Sequence, residues 1–296
     1  MIPIRKMSPE PARIALIGAG RLATGLALAF AAGGLAVVAA ASRSPASASR
    51  LAARLPGCRA MDAQQAVDAA DLVFVTVPDD AIGITAAGLR WRADIAVVHC
   101  SGATELTALA AAAAAGAHIG GFHPLQTFTD PDAALASLPG CTISIEAEPP
   151  LLETLRGLAA TIGCRSIRLP AGCRARYHAS GGYASQFVNV LLREATDIWK
   201  TFGIAEEDAV RALLPLLKGT IASIESAGLA QGMPGPVSRG DVGTVKRHVD
   251  DLTQISDATL AIYCELAQRT IAIAVERGSL DAEKAQELRK ILSVKE

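Results

Sequence analysis

A strand that runs into a glycine-rich turn and then into a helix constrains this chain more than any other feature. Residues 14–17 are four consecutive apolar residues, which predicts a strand buried on both faces of a parallel sheet. Gly18 and Gly20 follow, and helical spacing resumes at Leu22. Gly18 permits a tight reversal, and Gly20 has no side chain, so a phosphate can approach the backbone. The turn therefore predicts a dinucleotide site, with a plain glycine-rich turn as the structural alternative.

The start of this helix supplies groups that suit a phosphate. Its first N–H groups lack partners within the helix and point outward with the positive end of the helix dipole. Ala23 and Gly25 are small, so the helix can pack closely on the strand. The residues expected to hold the pyrophosphate are Gly18, Gly20, Arg21 and Leu22.

The end of the second predicted strand, residues 35–41, indicates which dinucleotide is bound. An NAD enzyme places Asp or Glu about 20 residues past the glycines, where the carboxylate holds the ribose 2′-hydroxyl. This chain has Ser42, Arg43 and Ser44 instead, without an acid nearby. A guanidinium with two hydroxyls binds a 2′-phosphate through charge-assisted hydrogen bonds. The pattern favours NADP over NAD, and the alternative is that Arg43 is an ordinary solvated loop residue.

Strands alternate with helices as far as residue 170, which predicts an open α/β sheet. Further strands are predicted at 71–76, 95–99, 118–122, 141–146 and 166–169. From residue 171 onward the pattern is helical. It predicts one helix of about thirty residues over 173–202, a second from Glu206 to about Ala227, and a last helix capped by Ser279. We therefore expect a Rossmann-like, mostly parallel sheet in residues 1–170, followed by an all-α domain for substrate binding and dimerisation in residues 171–296.

Composition and charge exclude several classes of partner. A formal net charge of -1 gives no field that would attract nucleic acid or an anionic membrane. We find no run of about 18 strongly apolar residues and no signal-peptide pattern at the start. Six scattered cysteines without a CxxC pair predict reduced thiols, a cytoplasmic protein and no metal site. The expected partners are a small-molecule substrate and a second copy of the chain.

Strand ends near the glycine turn should also contact the cofactor, because open α/β sheets bind ligands at the carboxyl ends of their strands. The strand at 71–76 is followed by Val77, Pro78 and Asp79, which we expect at the cofactor. Pro78 blocks continuation of the strand, and Asp79 or Asp80 can cap the next helix.

Three side chains are candidates for catalysis, with His123 as the first choice for proton transfer and Ser101 and His178 assisting. His123 directly follows a predicted strand, and the ordinary pKa of histidine suits acid–base chemistry near neutrality. Ser101 follows the neighbouring strand and either contacts a ligand or caps a helix. His178 lies beside Tyr177 in the long predicted helix and is either catalytic or a packed helix histidine. Farther along, Arg239 either clamps a substrate carboxylate or pairs with Asp241.

Five segments together resemble one known family: IGAGRLATGLA, VTVPDD, GFHPLQTF, RARYHASGGYASQ, and GPVSRGD followed by a histidine. They are similar to bacterial proteins that join a Rossmann-like domain to a helical domain of unknown function, number 2520. Those proteins lie in the 6-phosphogluconate dehydrogenase-like superfamily, with pyrroline-5-carboxylate reductase and prephenate dehydrogenase. The resemblance implies an NADP-dependent oxidoreductase that forms a homodimer.

The resemblance also bears on the proposed site residues. Prephenate dehydrogenases have a strand-end serine and a later His-Pro whose histidine contacts the reacting hydroxyl, and Ser101 and His123 are similar in type and order. Arg174 and Gln186 stand where a lysine and an asparagine are common, which departs from the catalytic scheme of hydroxyacid dehydrogenase relatives. We expect hydride transfer between NADP and a small carbonyl, imine or alcohol. The alternatives are a non-catalytic NADP(H) sensor and a prephenate- or arogenate-type dehydrogenase.

The segment Ser42–Ser44 generates the first testable prediction. NADPH should bind more tightly than NADH, and Arg43→Ala should weaken NADPH binding about ten- to a hundredfold, because hydrogen bonds to a charged group contribute roughly 1.5–3 kcal/mol. Fluorescence titration of both cofactors against both proteins measures this. Equal affinity of the wild type for NADH and NADPH would contradict the assignment.

Overall fold

The protein divides into two compact units, Met1–Ser185 and Gln186–Glu296. The computed structural model describes residues 12–128, 130 and 135–293. The first unit holds one eight-stranded sheet, and all strands of the described residues end before residue 170, as predicted. The boundary between the compact units lies fifteen residues beyond the end of the predicted sheet domain, because the first helix after the sheet belongs to the first unit.

The sheet has the order β3-β2-β1-β4-β5-β6-β7-β8. Its strands are β1 Ile14–Ile17, β2 Val37–Ala41, β3 Arg59–Ala60, β4 Leu72–Val75, β5 Ala96–His99, β6 His118–Pro124, β7 Thr142–Ala147 and β8 Arg165–Arg168. Strands β1 to β6 are parallel, β7 runs antiparallel to β6, and β8 is parallel to β7. The predicted Rossmann-like α/β fold is confirmed, and the two-residue β3 is an addition that the sequence pattern did not predict.

Helices cover both faces of this sheet. They are α1 Arg21–Ala32, α2 Pro45–Ala52, α3 Ala63–Ala69, α4 Asp79–Ala87, α5 Ala110–Ala114, α6 Leu151–Thr161 and α7 Arg174–Tyr183. On one face, Phe30 of α1, Phe74 of β4 and Phe122 of β6 form a ring cluster with centroids 5.2–6.3 Å apart. Because side chains alternate along a strand, burying Phe122 on this face directs its neighbours Gly121 and His123 to the other.

The strand order reverses direction at β1, which has β2 on one side and β4 on the other. In open α/β sheets, such a switch point opens a crevice at the carboxyl ends of the strands, where ligands bind. Strand β6 extends past this edge, because its Gly121 already pairs with the last residue of β5, His99. The prediction that β6 ends at Phe122 is therefore wrong: pairing with β7 continues the strand through His123 to Pro124.

The second unit is helical, with α8 Gln186–Lys200, α9 Glu206–Gln231, α10 Val242–Leu252, α11 Asp257–Glu276 and α12 Ala282–Leu292. The single helix predicted over 173–202 is instead α7 and α8, separated by a turn at Ala184 and Ser185. Within α9 the helical conformation breaks at Gly228, whose φ is +79°, so the regular part ends at Ala227 as predicted.

The predicted cap of the last helix in this unit is wrong. The side chain of Asp281, not that of Ser279, caps α12 by accepting the Lys284 N–H. Asp241 caps α10 by accepting the Thr244 N–H, and of the two roles left open for Arg239, the ion pair with Asp241 is not formed among the described residues. The loop before α10 is held instead by the Arg277 guanidinium, which donates to backbone carbonyls including those of Ala230 and Met233.

Helix α11 is the one helix of residues 12–128, 130 and 135–293 that is long and apolar enough to cross a membrane. Its apolar stripe lies in the core of the helical unit, where Leu260, Cys264, Ile271 and Ala274 pack against α10 and α12. This buried stripe makes up 28% of the most apolar window of α11.

Helices α8 and α9 leave many large apolar side chains exposed. Leu216 is 66% exposed in the middle of α9, and Leu229 is 74% exposed just past the break at Gly228. The others are Phe187, Val190, Leu191, Leu214, Ile221 and Ile224. Apolar patches of this extent are typical of protein–protein interfaces, and most homo-oligomers close as twofold dimers.

The second prediction is therefore that the protein is a homodimer through α8 and α9. Leu216→Lys should weaken the dimer, because it places a charge in the apolar face, whereas Ile84→Lys on α4 is the matched control, since Ile84 is also exposed (78%). Light scattering across micromolar concentrations measures both. A monomeric wild type, or equal effects of the two variants, would contradict the prediction.

Candidate active site

The glycine turn has the conformation that phosphate binding requires. Gly18 has a φ of +113°, and a Cβ there would lie 2.5 Å from the Thr76 carbonyl oxygen, so only glycine fits. Gly20 has open space where its Cβ would be, which leaves its backbone accessible to a ligand. Gly20 also precedes α1 without a side-chain cap, so the first N–H groups of this helix keep their capacity to bind an anion. These residues fit a dinucleotide pyrophosphate.

The end of β2 fits a phosphate on the ribose. Arg43 is exposed, and no carboxylate lies between Ala41 and Pro45. Ser44 caps α2 by accepting the Ser47 N–H, and its own N–H donates to the Ser42 hydroxyl oxygen. The Ser44 hydroxyl is thus partly committed to the helix, and Arg43 is the principal group available to a 2′-phosphate.

The end of β4 lies beside the same turn. Pro78 precedes α4, and Asp79 and Asp80 occupy its first turn with no side-chain cap, so the predicted cap by either acid is wrong. Both carboxylates are exposed. Asp79 is close enough to His123 to act on its charge, which connects this strand end to the candidate catalytic residue.

His123 contacts Tyr177 at the carboxyl edge of the sheet. On β6 it lies two residues past Gly121, which pairs with the last residue of β5. The Nδ1 atom of His123 lies 2.9 Å from the Tyr177 hydroxyl, and the two rings meet edge to face at a centroid distance of 5.6 Å. The His178 ring lies 5.8 Å from that of His123 and is otherwise exposed. The structure therefore brings His123 and His178 together on one site, and it adds Tyr177 as a direct hydrogen-bond partner.

The pKa of His123 differs from the ordinary value that the sequence suggested. Burial, together with the neighbouring His178 and Arg174, lowers the pKa of His123 to about 4, against an opposing effect of Asp79. Burial likewise raises the pKa of Tyr177. At neutral pH the pair therefore consists of a neutral imidazole and a neutral phenol that share one hydrogen bond.

Ser101 and Gly102 form the floor of this site. The Ser101 hydroxyl accepts the N–H groups of Ala103 and Thr104, so Ser101 closes a turn and does not cap a helix. A Cβ at Gly102 would lie 2.8 Å from Nε2 of His123 and 2.5 Å from the His178 ring. The second nitrogen of His123 therefore faces the backbone of Gly102, at the carboxyl end of β5.

A buried ion pair under this site was not predicted. Arg174, at the start of α7, has no exposed surface, and its Nε donates to the Glu146 carboxylate of β7 at 2.5 Å. Its Nη1 donates to the Ser101 carbonyl oxygen at 2.8 Å. Glu146, the one carboxylate in the strand of residues 142–147, is the sequence signal that could have indicated it, since a buried charge requires a partner.

His99, the last residue of β5, is fully buried beside this ion pair. Neither of its ring nitrogens has a hydrogen-bond partner among the described residues. Burial lowers the pKa of His99 to about 3, with further contributions from Arg174 and His123. His99 is therefore neutral in the folded protein, as its predicted place within a strand suggested.

Family models match most of the chain in two segments. Residues 13–102 match the family described as NADP oxidoreductase, coenzyme F420-dependent, and residues 141–270 match the domain of unknown function DUF2520. The chain therefore joins an NADP oxidoreductase domain to a DUF2520 domain, which confirms the resemblance. The candidate site contains residues from both matched segments: Ser101 lies in the first, and Tyr177 and His178 lie in the second.

Solved structures share this fold. Protein TM1727 of Thermotoga maritima is 23% identical, with a TM-score of 0.74 over 90% of this chain and 99% of that one. A proposed NADP oxidoreductase, BF3122 of Bacteroides fragilis, is 24% identical, with a TM-score of 0.68 over 88% and 97%. The reductive aminase of Aspergillus terreus, solved with NADPH and ethyl-5-oxohexanoate, is 18% identical, with a TM-score of 0.61 over 96% and 93%. No curated protein matches the sequence.

The third prediction follows from His99. Its folded pKa, about 3, lies below the unfolded value of about 6.5, so protonation favours the unfolded chain and stability falls as pH drops below about 6.5. His99→Leu removes this contribution. The free energy of unfolding of the variant minus that of the wild type should therefore be about 2 kcal/mol larger at pH 5 than at pH 7.5. Urea unfolding at the two pH values measures it, and an equal difference at both would contradict the account.

Proposed function

We propose that this protein is an NADP-dependent oxidoreductase that transfers a hydride between the nicotinamide and a small carbonyl, imine or alcohol substrate. The observation that carries the proposal is the hydrogen bond between His123 and Tyr177 at the carboxyl edge of the sheet. The same edge carries the Gly18–Gly20 turn, whose geometry fits a dinucleotide. The family of residues 13–102 and the NADPH complex of the reductive aminase support the same cofactor.

The cofactor would be held by the chain's own groups at three strand ends. The N–H groups at the start of α1, including those of Arg21 and Leu22, would bind the pyrophosphate. Arg43 and Ser42 would bind the 2′-phosphate, and Val77 to Asp79 would line the crevice. When bound, NADPH supplies the hydride.

His123 would donate a proton to the substrate, or accept one from it, at Nε2. If Tyr177 donates its hydroxyl hydrogen to Nδ1, the neutral ring carries its proton on Nε2. His123 can then give this proton to a substrate oxygen or nitrogen while the Tyr177 proton moves to Nδ1, which leaves the negative charge on the Tyr177 oxygen. In the other tautomer, Nδ1 donates to the Tyr177 oxygen and Nε2 accepts a proton from an alcohol or amine. The pair thus serves reduction and oxidation alike. Ser101 and His178 would assist by orienting the substrate.

Turnover separates this proposal from a non-catalytic NADP(H) sensor. The assay follows NADPH oxidation with a panel of ketones, aldehydes and cyclic imines, and NADP reduction with prephenate and arogenate. The proposal expects turnover with at least one carbonyl or imine. Tight NADPH binding without turnover of any compound would favour the sensor, and activity confined to the two acids would favour the prephenate- or arogenate-type dehydrogenase.

The fourth prediction concerns the roles of the two histidines. With an active substrate, His123→Asn should lower kcat by about 10²–10⁴-fold, which is the usual contribution of a general acid or base, while the Kd for NADPH stays nearly unchanged. Tyr177→Phe should lower kcat less, because it removes the partner of Nδ1 but keeps the imidazole.

His178→Asn is the internal comparison, since it removes an imidazole that touches His123 but lacks the bond to Tyr177. It should lower kcat less than His123→Asn does, because His178 orients the substrate and does not transfer the proton. Steady-state kinetics and NADPH titration of all three variants provide the measurement. Full kcat in His123→Asn with a large loss in His178→Asn would reverse the assignment. Full activity in both would leave neither histidine as the proton carrier.

A further inference from the structure

We propose that Arg174, paired with Glu146, is a positioning residue that fixes the start of α7 so that Tyr177 meets His123, and that sets a permanent positive charge beside the imidazole. This rests on the proposed function in one respect, which is that His123 is the proton-transfer group. Arg174 itself has no exposed surface, so it does not reach a substrate.

The spacing of two residue pairs between β6 and β7 matches the spacing of Arg174 and Tyr177 along α7. Gly121 pairs with Glu146, and two residues farther along the same face His123 pairs with Ser144. Positions three apart on a helix lie on one face, about 4.5 Å apart along its axis, and two strand residues span about 6.6 Å. Arg174 meets the first strand pair and Tyr177 the second, so anchoring Arg174 places the Tyr177 hydroxyl at His123.

Arg174 is held from several directions at once. Its side chain binds Glu146 and the Ser101 carbonyl, and its backbone N–H donates to the Glu105 carboxylate at 3.3 Å. Gly121 makes room for the guanidinium, since a Cβ there would lie only 1.7 Å from Nη2. A lysine would place a single ammonium group where the planar guanidinium of Arg174 now makes two separate bonds, one to Glu146 and one to the Ser101 carbonyl.

The charge of Arg174 acts directly on His123. The titratable and charged groups that face the His123 ring are Arg174, Tyr177 and His178 on α7, His99 on β5 and Asp79 on α4. Arg174 is the member of this set fixed by a buried ion pair, so its charge cannot move away or be screened by solvent, although the Glu146 carboxylate of that pair offsets part of it. A cation held there disfavours a second proton on His123, which keeps the ring available as a neutral donor or acceptor.

Histidine side-chain NMR of the full chain, titrated with pH, tests the proposal without requiring a substrate. The informative variant is Arg174→Met/Glu146→Leu, because removing Arg174 alone would leave a buried carboxylate unpaired. We expect the pKa of His123 to rise by on the order of 0.5 and the Nδ1 resonance to lose its hydrogen-bond signature. The control, Arg168→Met/Glu148→Leu, removes an exposed ion pair from the adjacent strand ends and should change neither.

Arg174→Lys keeps the charge and the ion pair, so it should fold even if the double variant does not. It should retain the low pKa of His123 while weakening the Nδ1 hydrogen bond. The proposal is overturned if the double variant titrates like the wild type, if the Arg168 control shifts equally, or if Arg174→Lys raises the pKa. If the wild type turns over no carbonyl or imine, the proposed function fails, but the titration still decides the role of Arg174.

Discussion

The buried ion pair between Arg174 and Glu146 is the interaction on which the candidate site depends. Removing either partner would leave an uncompensated buried charge, which typically costs about 3–5 kcal/mol. The bond from Nη1 to the Ser101 carbonyl offsets part of the desolvation of the guanidinium, whereas Nη2 has no hydrogen-bond partner among the described residues. The Glu105 carboxylate separately accepts the backbone N–H at the helix start. Helix α7 is therefore attached to the sheet by polar bonds of fixed direction, which specify its position more sharply than apolar contacts would.

This attachment explains why the site contains neutral groups. A histidine on a solvated loop would be half protonated near pH 6.5, but His123 lies under α7 beside a fixed cation, and burial lowers its pKa to about 4. Its only hydrogen-bonded side-chain partner in the described residues is the Tyr177 hydroxyl, which is also neutral. The pair can therefore donate a hydrogen bond to a substrate, or accept one from it, over a wide pH range without a change in its charge.

The sequence predicted the parts of the fold that depend on local patterns. Apolar runs located the major strands within one or two residues, and Gly18 located the turn at the switch point, because its positive φ is a local requirement. Contacts between distant segments were not predictable in this way. Pairing with β7 carries β6 through His123, and the bond to Tyr177 depends on where α7 docks. The turn at Ala184 and Ser185 was missed because Gly181 and Gly182 weaken a helix without marking where it ends.

A crystal structure with NADP bound is the measurement that tests the central claim most directly. The account predicts that the pyrophosphate lies over Gly20 and that the nicotinamide C4 lies in contact distance of His123 or Tyr177, with their hydrogen bond intact. A nicotinamide ring directed away from both residues, with the pyrophosphate elsewhere than at the glycine turn, would contradict the account.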